Sequence, residues 1–310
     1  MEKLILTAAL TGAITVPTQT PHLPYTIEGI ADDGIACAKA GATVIHVHGR
    51  DPKNGHPTSD PEVVRKIVTR IKEGCDAIVG ISTGGGMGMM PEGRLRGAAI
   101  CQPELASFYL GSMNFSMHPV ARRYEPEDWK FDWEAGYVDG TKDFIFRNTF
   151  GDMEVFSRTM KEKNVLPEFE AYDIGHLYNL KFLEKDGLAE PPYWIQFVLG
   201  VLGGAAANPE TLIMMLQTAD RLFGRENYRW SVIGVGYPWE FHMAAMGAIM
   251  GGHVRVGLED NIFVRRKVLA SNVDLVEKAM RIVSEFDREI ATPDEAREML
   301  GLKGQDAVGY

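Results

Sequence analysis

Short apolar runs, rich in β-branched and aromatic residues, recur along the chain. They are Leu4 to Ala9, Thr43 to His48, Ala77 to Ser82, Leu105 to Tyr109, Leu166 to Tyr172, Trp194 to Leu199, Trp230 to Val235 and His253 to Leu258. Continuous runs of this length read as strands buried on both faces, as in a parallel sheet covered by helices. The stretches between them carry helical signals. Residues 26–40 open at Thr26 and stop before Gly41, and residues 60–73 open at Asp60 with Pro61 at the first helical position. Residues 209–223 and 240–250 follow the sixth and seventh runs, and Thr292-Pro293-Asp294-Glu295 forms a capping box for a last helix.

Eight strands alternating with helices predict an α/β chain folded as a (β/α)8 TIM barrel, with a doubly wound open sheet as the alternative. The whole of residues 1–310 reads as one such domain, with no internal repeat. One connection departs from the pattern. About fifty residues, 115–164, separate strand four from strand five, and the part 117–150 is aromatic, charged and poorly periodic. This excursion is expected to cover the barrel mouth or to form a subunit contact.

Composition narrows the function. Hydrophobic residues are 45% and charged residues 24% of the 310, an ordinary globular balance that excludes a disordered chain. The 32 basic against 42 acidic side chains leave a net charge of −10, which argues against a nucleic-acid partner. Cys37, Cys75 and Cys101 are odd in number and widely spaced, so neither a disulfide framework nor a cysteine metal site is expected. They read as small core residues. The N-terminal stretch lacks a basic leader segment and no run approaches 18 apolar residues, so a cytoplasmic location without membrane contact is expected.

Candidate chemistry lies at the strand ends. His46-Val47-His48 closes strand two, and residues two apart in a strand share a face. Two imidazoles on the inner face at the carboxyl end suit a divalent metal, and suit equally a pair of satisfied core histidines. On strand eight Arg255, Gly257 and Glu259 alternate inward in the same way, with Asp260 turning into the loop. Inward charges need partners, so Arg255 and Glu259 are either a structural pair or part of a site, with Glu259 a third metal ligand. Glu168 and Glu170 share a face of strand five, and strand three runs into Ser82-Thr83-Gly84-Gly85-Gly86, a turn whose amides can approach an anion. All four ends point to the mouth where barrel enzymes work. The remaining histidines, His22, His56, His118, His176, His242 and His253, lie in loops, on helices or at a strand's start and are read as structural. Trp129 and Trp133 are read as lid or interface packing.

The segments ILTAALTGA, GATVIHVHGRDP, ISTGGG, PELASFYLGSMNF, IQFVLGVLGG and GGHVRVGLEDNIF occur in this order. In this the chain resembles the β-keto acid cleavage enzymes, the group of 3-keto-5-aminohexanoate cleavage enzyme. The resemblance spans most of the chain apart from residues 117–150. It implies a (β/α)8 barrel with a zinc ion held by His46, His48 and Glu259, in a homotetramer. It implies Asp260 as acid–base aspartate with Arg255 as its partner, and Glu170 as an active-site glutamate. Ser82 and Gly85 would hold the keto acid carboxylate, and Ser107 matches a hydroxyl position. The implied reaction takes a β-keto acid and acetyl-CoA to acetoacetate and a new acyl-CoA. Asp260 and Glu170 remain alternatives for the base. Ile14, at the rim after strand one, stands where the amino-substrate branch has a glutamate, so a neutral or apolar substrate tail is expected and an ammonium tail is not. A quaternary ammonium tail against the excursion's aromatics, or an anionic tail reached by Arg122, Arg123 or Lys130, remains open. Two rival functions are a metal-dependent hydrolase of the amidohydrolase type and a catalytically silent binding protein. The first is disfavoured because strand six, WIQFVLG, offers no histidine.

Overall fold

The computed structural model describes residues 2–310. Its eight parallel strands are β1 (Leu6–Ala9), β2 (Val44–Val47), β3 (Ile78–Ile81), β4 (Leu105–Tyr109), β5 (Leu166–Ala171), β6 (Tyr193–Leu199), β7 (Tyr228–Gly234) and β8 (His253–Val256). Each pairs with its sequence neighbours, and β8 returns to β1 with Leu6 opposite Val254, closing the barrel. The chain is therefore a (β/α)8 TIM barrel, and the open sheet is excluded.

Ten helices accompany the strands among the described residues: α1 (Ile27–Lys39), α2 (Pro61–Gly74), α3 (Pro91–Cys101), α4 (Asp132–Gly140), α5 (Phe150–Glu162), α6 (Ile174–Lys185), α7 (Pro209–Phe223), α8 (Trp239–Ile249), α9 (Asn272–Ser284) and α10 (Pro293–Leu300). Their starts are set by local chemistry. The Thr26 side chain accepts from the Gly29 amide, Asp60 accepts from Glu62, and Thr292 and Glu295 form the reciprocal capping box.

Strand alternation sorts the core into two layers. Ile45, Val47, Val79, Phe169, Val254 and Val256 face the helices. Ile5, Val44, Ile78, Leu105 and Trp194 fill the lower barrel interior, joined by Ala291 and Ala296 from the chain's last turns. Full burial of one such large side chain contributes about 1.5–3 kcal/mol. The last segment is stitched to the barrel floor: the Ala291 amide donates to Leu4 O at 2.9 Å, and Thr43 Oγ1 donates to Ala291 O at 2.8 Å. This apolar floor leaves the carboxyl ends of the strands as the open face.

The long β4–β5 connection has its own local order. Met113–Asn114 pairs antiparallel with Ile145–Phe146, and α4 lies between them. The segment is bound to the loops after β1 and β2. Buried Glu134 accepts from the Thr18 amide at 2.9 Å, from Thr18 Oγ1 at 2.6 Å and from the Phe131 amide at 3.0 Å. Tyr137 Oη donates to Ala13 O at 2.9 Å, and Trp133 Nε1 donates to Asn54 O at 3.0 Å. Trp129 and Trp133 pack beside Val16, Met117 and Val138. Cys37 and Cys101 are buried and Cys75 is half-buried, all three as free thiols. Among the described residues no helix is long and apolar enough to cross a membrane.

Candidate active site

Three side chains from two strand ends converge at the open face. His46 points inward from β2, His48 follows at its end, and Glu259 lies just past β8. His46 Nε2 is 3.5 Å from Glu259 Oε2, and His48 Nε2 is 3.3 Å from Glu259 Oε1. The turn after β8 makes this reach possible. Gly257 has φ +148°, and a Cβ there would sit 2.1 Å from Ala9 O, so only glycine lets the chain fold back over β1. Gly12 closes against the result, with the position of a Cβ only 2.5 Å from Glu259 Cγ.

Polar satisfaction separates a metal centre from a plain ion-pair cluster. His46 Nε2, His48 Nε2 and Glu259 Oε2 are all buried without a hydrogen-bond partner. Buried polar atoms are rarely left so. One ligand atom from each of the three residues lies within 4.8 Å of the others, the only such group of three among the described residues. Burial drives the His46 imidazole well below its usual value, so it stays neutral. Burial alone would raise the Glu259 carboxyl, yet Arg255 and the two imidazoles hold it well below the usual range. Two imidazoles and an ionised carboxylate, with unpaired atoms turned toward each other, fit a nitrogen–oxygen site for a divalent cation. The chain's other histidines are engaged elsewhere or lie apart; His253 Nδ1 accepts from the Ile5 amide at 2.9 Å, and His176 Nδ1 accepts from the Tyr172 amide at 3.2 Å.

Beside this group lies a buried ion-pair fork. Arg255 Nε and Nη2 donate to Asp260 Oδ2 and Oδ1 at 2.9 and 3.0 Å, and Nη2 also reaches Glu259 Oε1 at 2.6 Å. Its Nη1 has no partner. Burial lifts the Asp260 carboxyl to about 6, with Arg255 pulling the other way. Against burial, Asp260 and Glu259 keep the Arg255 guanidinium well above its ordinary value, so it remains charged. The Asp260 carboxylate is thus oriented at two points and faces the cavity.

The cavity over these groups is lined by Ile14, His48, Gly85, Tyr109, Tyr137, Tyr172, Arg255, Glu259 and Asp260, with Phe115, Phe144 and Phe146 from the β4–β5 connection. Ile14, Gly85, His48, Arg255, Glu259 and Asp260 are therefore brought together. Ser82 stands to one side, on a smaller recess with His48, where its Oγ accepts from the Gly84 amide at 3.0 Å. Glu170 and Ser107 face inward but lie deeper. Glu170 is covered by Tyr172, whose Oη donates to Oε2 at 2.7 Å, and burial raises this carboxyl to about 8. Ser107 is buried with an unpaired Oγ and does not line the cavity. Of the basic residues expected near the mouth, Arg123 lines an adjoining cleft, while Lys130 lies over the Tyr25 ring at 4.9 Å.

Glu168, on the same face of β5 as Glu170, has one oxygen on the Trp194 indole at 2.9 Å and the other 4.0 Å from His46 Nδ1. Two contributors escape a strand-by-strand reading. Tyr172 caps Glu170. Arg50 is buried after β2 and donates to Thr11 O, Gly12 O and Thr15 O at 2.7–2.8 Å and to Gly55 O at 2.9 Å. Only the arginine within GATVIHVHGRDP marked it in sequence, with no periodic signal for its role.

Comparison with known proteins places the whole chain. The model of the beta-keto acid cleavage enzyme family matches residues 3–302. The 3,5-dioxohexanoate:acetyl-CoA acetone transferase of Paraburkholderia graminis is 45% identical over 97% of this chain and 96% of that protein. The 3-keto-5-aminohexanoate cleavage enzyme of Fusobacterium nucleatum is 39% identical over 98% of this chain and 99% of its own. The 3-dehydrocarnitine:acetyl-CoA trimethylamine transferase of Rhizobium meliloti is 31% identical, with 97% of each chain covered. Among solved structures, apo ObcA superposes with a TM-score of 0.68 at 18% identity, covering 91% of this chain and 66% of that one, a likeness of fold. The chain belongs to the beta-keto acid cleavage enzyme family.

Proposed function

We propose that this protein is a zinc-dependent enzyme that condenses a β-keto acid with acetyl-CoA and releases acetoacetate and a new acyl-CoA. The observation that carries the reading is the group of orphaned His46, His48 and Glu259 atoms beside the Arg255–Asp260 fork, under a cavity with an aromatic wall. The preferred substrate tail is neutral. Ile14 and the rings of Phe144 and Phe146 offer an ammonium group no carboxylate at the tail end, and the Paraburkholderia relative is named for a neutral-tailed acid, 3,5-dioxohexanoate. Residues 117–150 act as the cover of the substrate tail. A cytoplasmic homotetramer completes the reading.

His46, His48 and Glu259 would hold the cation, which supplies polarisation of the keto carbonyl and stabilises charge developing there. Asp260 takes the C2 proton, and the C2 carbon then forms a bond to the acetyl carbonyl as the CoA thiolate leaves. The thiolate attacks the original keto carbonyl and the C2–C3 bond breaks. Acetoacetate departs after Asp260 returns its proton to that carbon, so atoms and charge balance. Arg255 keeps Asp260 in one orientation, and its unpaired Nη1 is available to oxyanions formed on the way. The Gly85 amide region and Ser82 receive the substrate carboxylate. Glu170, raised to about 8 by burial and screened by Tyr172, keeps a proton at neutral pH and serves the site through the Tyr172 hydroxyl. Ser107, whose hydroxyl has no partner, lies below that layer and does not reach the cavity.

The test combines metal analysis with a coupled assay of acetyl-CoA against β-keto acids bearing neutral, ammonium and carboxylate tails. The expected result is one zinc per chain, lost in His46→Ala and His48→Ala. Asp260→Asn keeps the metal and loses turnover. Full metal content in the double histidine variant, or near-parental turnover in Asp260→Asn, overturns the assignment.

A further inference from the structure

The cavity above Asp260 opens into a second, larger cleft of about 520 Å³. The two spaces share Ile14, Phe115, Val201, Val235, Glu259 and Asp260, so the cleft leads directly to the reacting end of the site. Its outer rim carries Arg123, from the single turns His118–Arg123 of the β4–β5 connection, and Arg266 with Lys267, from the turn joining Phe263–Arg265 to Val268–Leu269. These three side chains are exposed. Among the described residues they form no ion pair, while Arg255, Arg297 and Arg229 all find carboxylates.

This grouping needs an explanation. The chain has a surplus of ten negative charges, yet segments about 140 residues apart bring three uncompensated cations to one opening. Like charges gathered at one opening repel unless an anion joins them. Lys267 also holds φ +64°, a left-handed turn conformation that glycine or asparagine adopts more readily. Exposure of the lining grades from buried Asp260, through half-buried Val120, Tyr237, Ile262 and Phe263, to the three exposed cations. The order from inside outward is thus reacting groups, an uncharged passage, then concentrated positive charge. It matches a molecule with a thioester at one end, a neutral amide arm in the middle and phosphates at the other.

We propose that Arg123, Arg266 and Lys267 form the phosphate-binding site for the 3′-phospho-ADP portion of the acyl-CoA co-substrate. The assignment rests on the acetyl-CoA reading above, and its test separates the two. Arg266→Ala/Lys267→Ala and Arg123→Ala alter exposed side chains and should fold as the parent does. Binding of 3′-phospho-ADP by calorimetry requires no turnover. The parent is expected to bind it with an affinity that falls as salt rises, and the double variant is expected to lose at least tenfold. In steady state the double variant should show a tenfold or greater rise in KM for acetyl-CoA, with little change in kcat. Its kcat/KM for acetyl-pantetheine, which lacks the phosphates, should equal the parent's, as should KM for the β-keto acid.

Absence of 3′-phospho-ADP binding to the parent overturns the site, as does an unchanged KM for acetyl-CoA in the variants. An equal loss with acetyl-pantetheine assigns the cations a structural role and also overturns it. A rise confined to KM for the β-keto acid transfers them to the keto acid tail instead. If 3′-phospho-ADP binds and the variants lose it, but no acetyl thioester is turned over, the phosphate site stands and the acetyl-CoA reaction falls.

Discussion

Replacing Arg50 with methionine tests whether the loop over the proposed metal ligands is held by a single buried cation. Arg50 is fully buried, and four carbonyl oxygens, from Thr11, Gly12, Thr15 and Gly55, accept from it within 2.9 Å. Burial brings its guanidinium down to about 10, which still leaves it charged at neutral pH. Nη1 serves Gly55 O and the two N–H groups of Nη2 are shared among the other three oxygens. A hydrogen bond to a charged group contributes roughly 1.5–3 kcal/mol, so the equivalent of three gives a gross gain of roughly 4.5–9 kcal/mol. Desolvating an ion that has no carboxylate partner opposes this by several kcal/mol. The net cost of Arg50→Met is therefore about 3–5 kcal/mol. A 310-residue chain gains about 0.65 kcal/mol/K of entropy on unfolding, so Tm should fall by about 5–8 °C. Because Gly12 lies against Glu259, the freed loop should also lower bound metal and kcat/KM. Arg50→Lys should fall between the two, since a lysine ammonium cannot span the same four oxygens. Thermal unfolding at a fixed scan rate, with metal analysis, reads both effects. A Tm shift under about 2 °C would mean that the carbonyls are equally well served without Arg50, and the account of the loop would be wrong.

Three further substitutions probe separate physical claims. Gly12→Ala places a Cβ 2.5 Å from Glu259 Cγ at φ +58°, and should cost about 1–2 kcal/mol while halving bound zinc or worse; parental metal content would show that Glu259 can move aside. Ile14→Glu should shift the ratio of kcat/KM for an ammonium-tailed over a neutral-tailed β-keto acid by about 10–100-fold, the value of one partly desolvated ion pair, and an unchanged ratio would remove Ile14 from tail recognition. Asp33→Asn should stabilise the protein at pH 7. Burial raises the Asp33 carboxyl from 3.8 to about 6, so the folded state binds more protons than the unfolded state between these values, and stability falls as pH rises through that window. The amide escapes that loss and still accepts from Asn272 Nδ2, giving a gain of about 3 kcal/mol at pH 7 that vanishes below pH ~4. A gain of equal size at pH 3.5 would point to packing instead.

The barrel was legible because burial on both faces writes each strand as one apolar run. Alternation then assigned faces correctly: His46 and Arg255 inward, Ile45, Val47 and Val254 outward. Alternation gives the face of a residue and not its height. Ser107 and Glu170 do face inward, but each sits one layer beneath a tyrosine that lines the cavity, Tyr109 above the first and Tyr172 above the second. Which inward residue meets the cavity depends on strand stagger, and no local pattern records it. Contacts between distant segments were equally hidden. Tyr137 reaches Ala13 across 124 positions, and Arg50 gathers carbonyls from the loop after another strand. Both are tertiary hydrogen bonds to backbone atoms, which every residue carries and no sequence motif distinguishes.

The stitching of the final turns to the barrel floor has a consequence for synthesis. β1 emerges first but finds one of its two edge partners only when β8, near residue 254, has been made. The floor residues Ala291 and Ala296 come later still. A ribosome-bound chain therefore carries an unpaired apolar edge and an uncapped interior through most of translation. Pairing across some 250 positions also makes closure a late, slow step. Chains released early, before α10, should accumulate as chaperone clients, even though every residue of the candidate active site is already present in them.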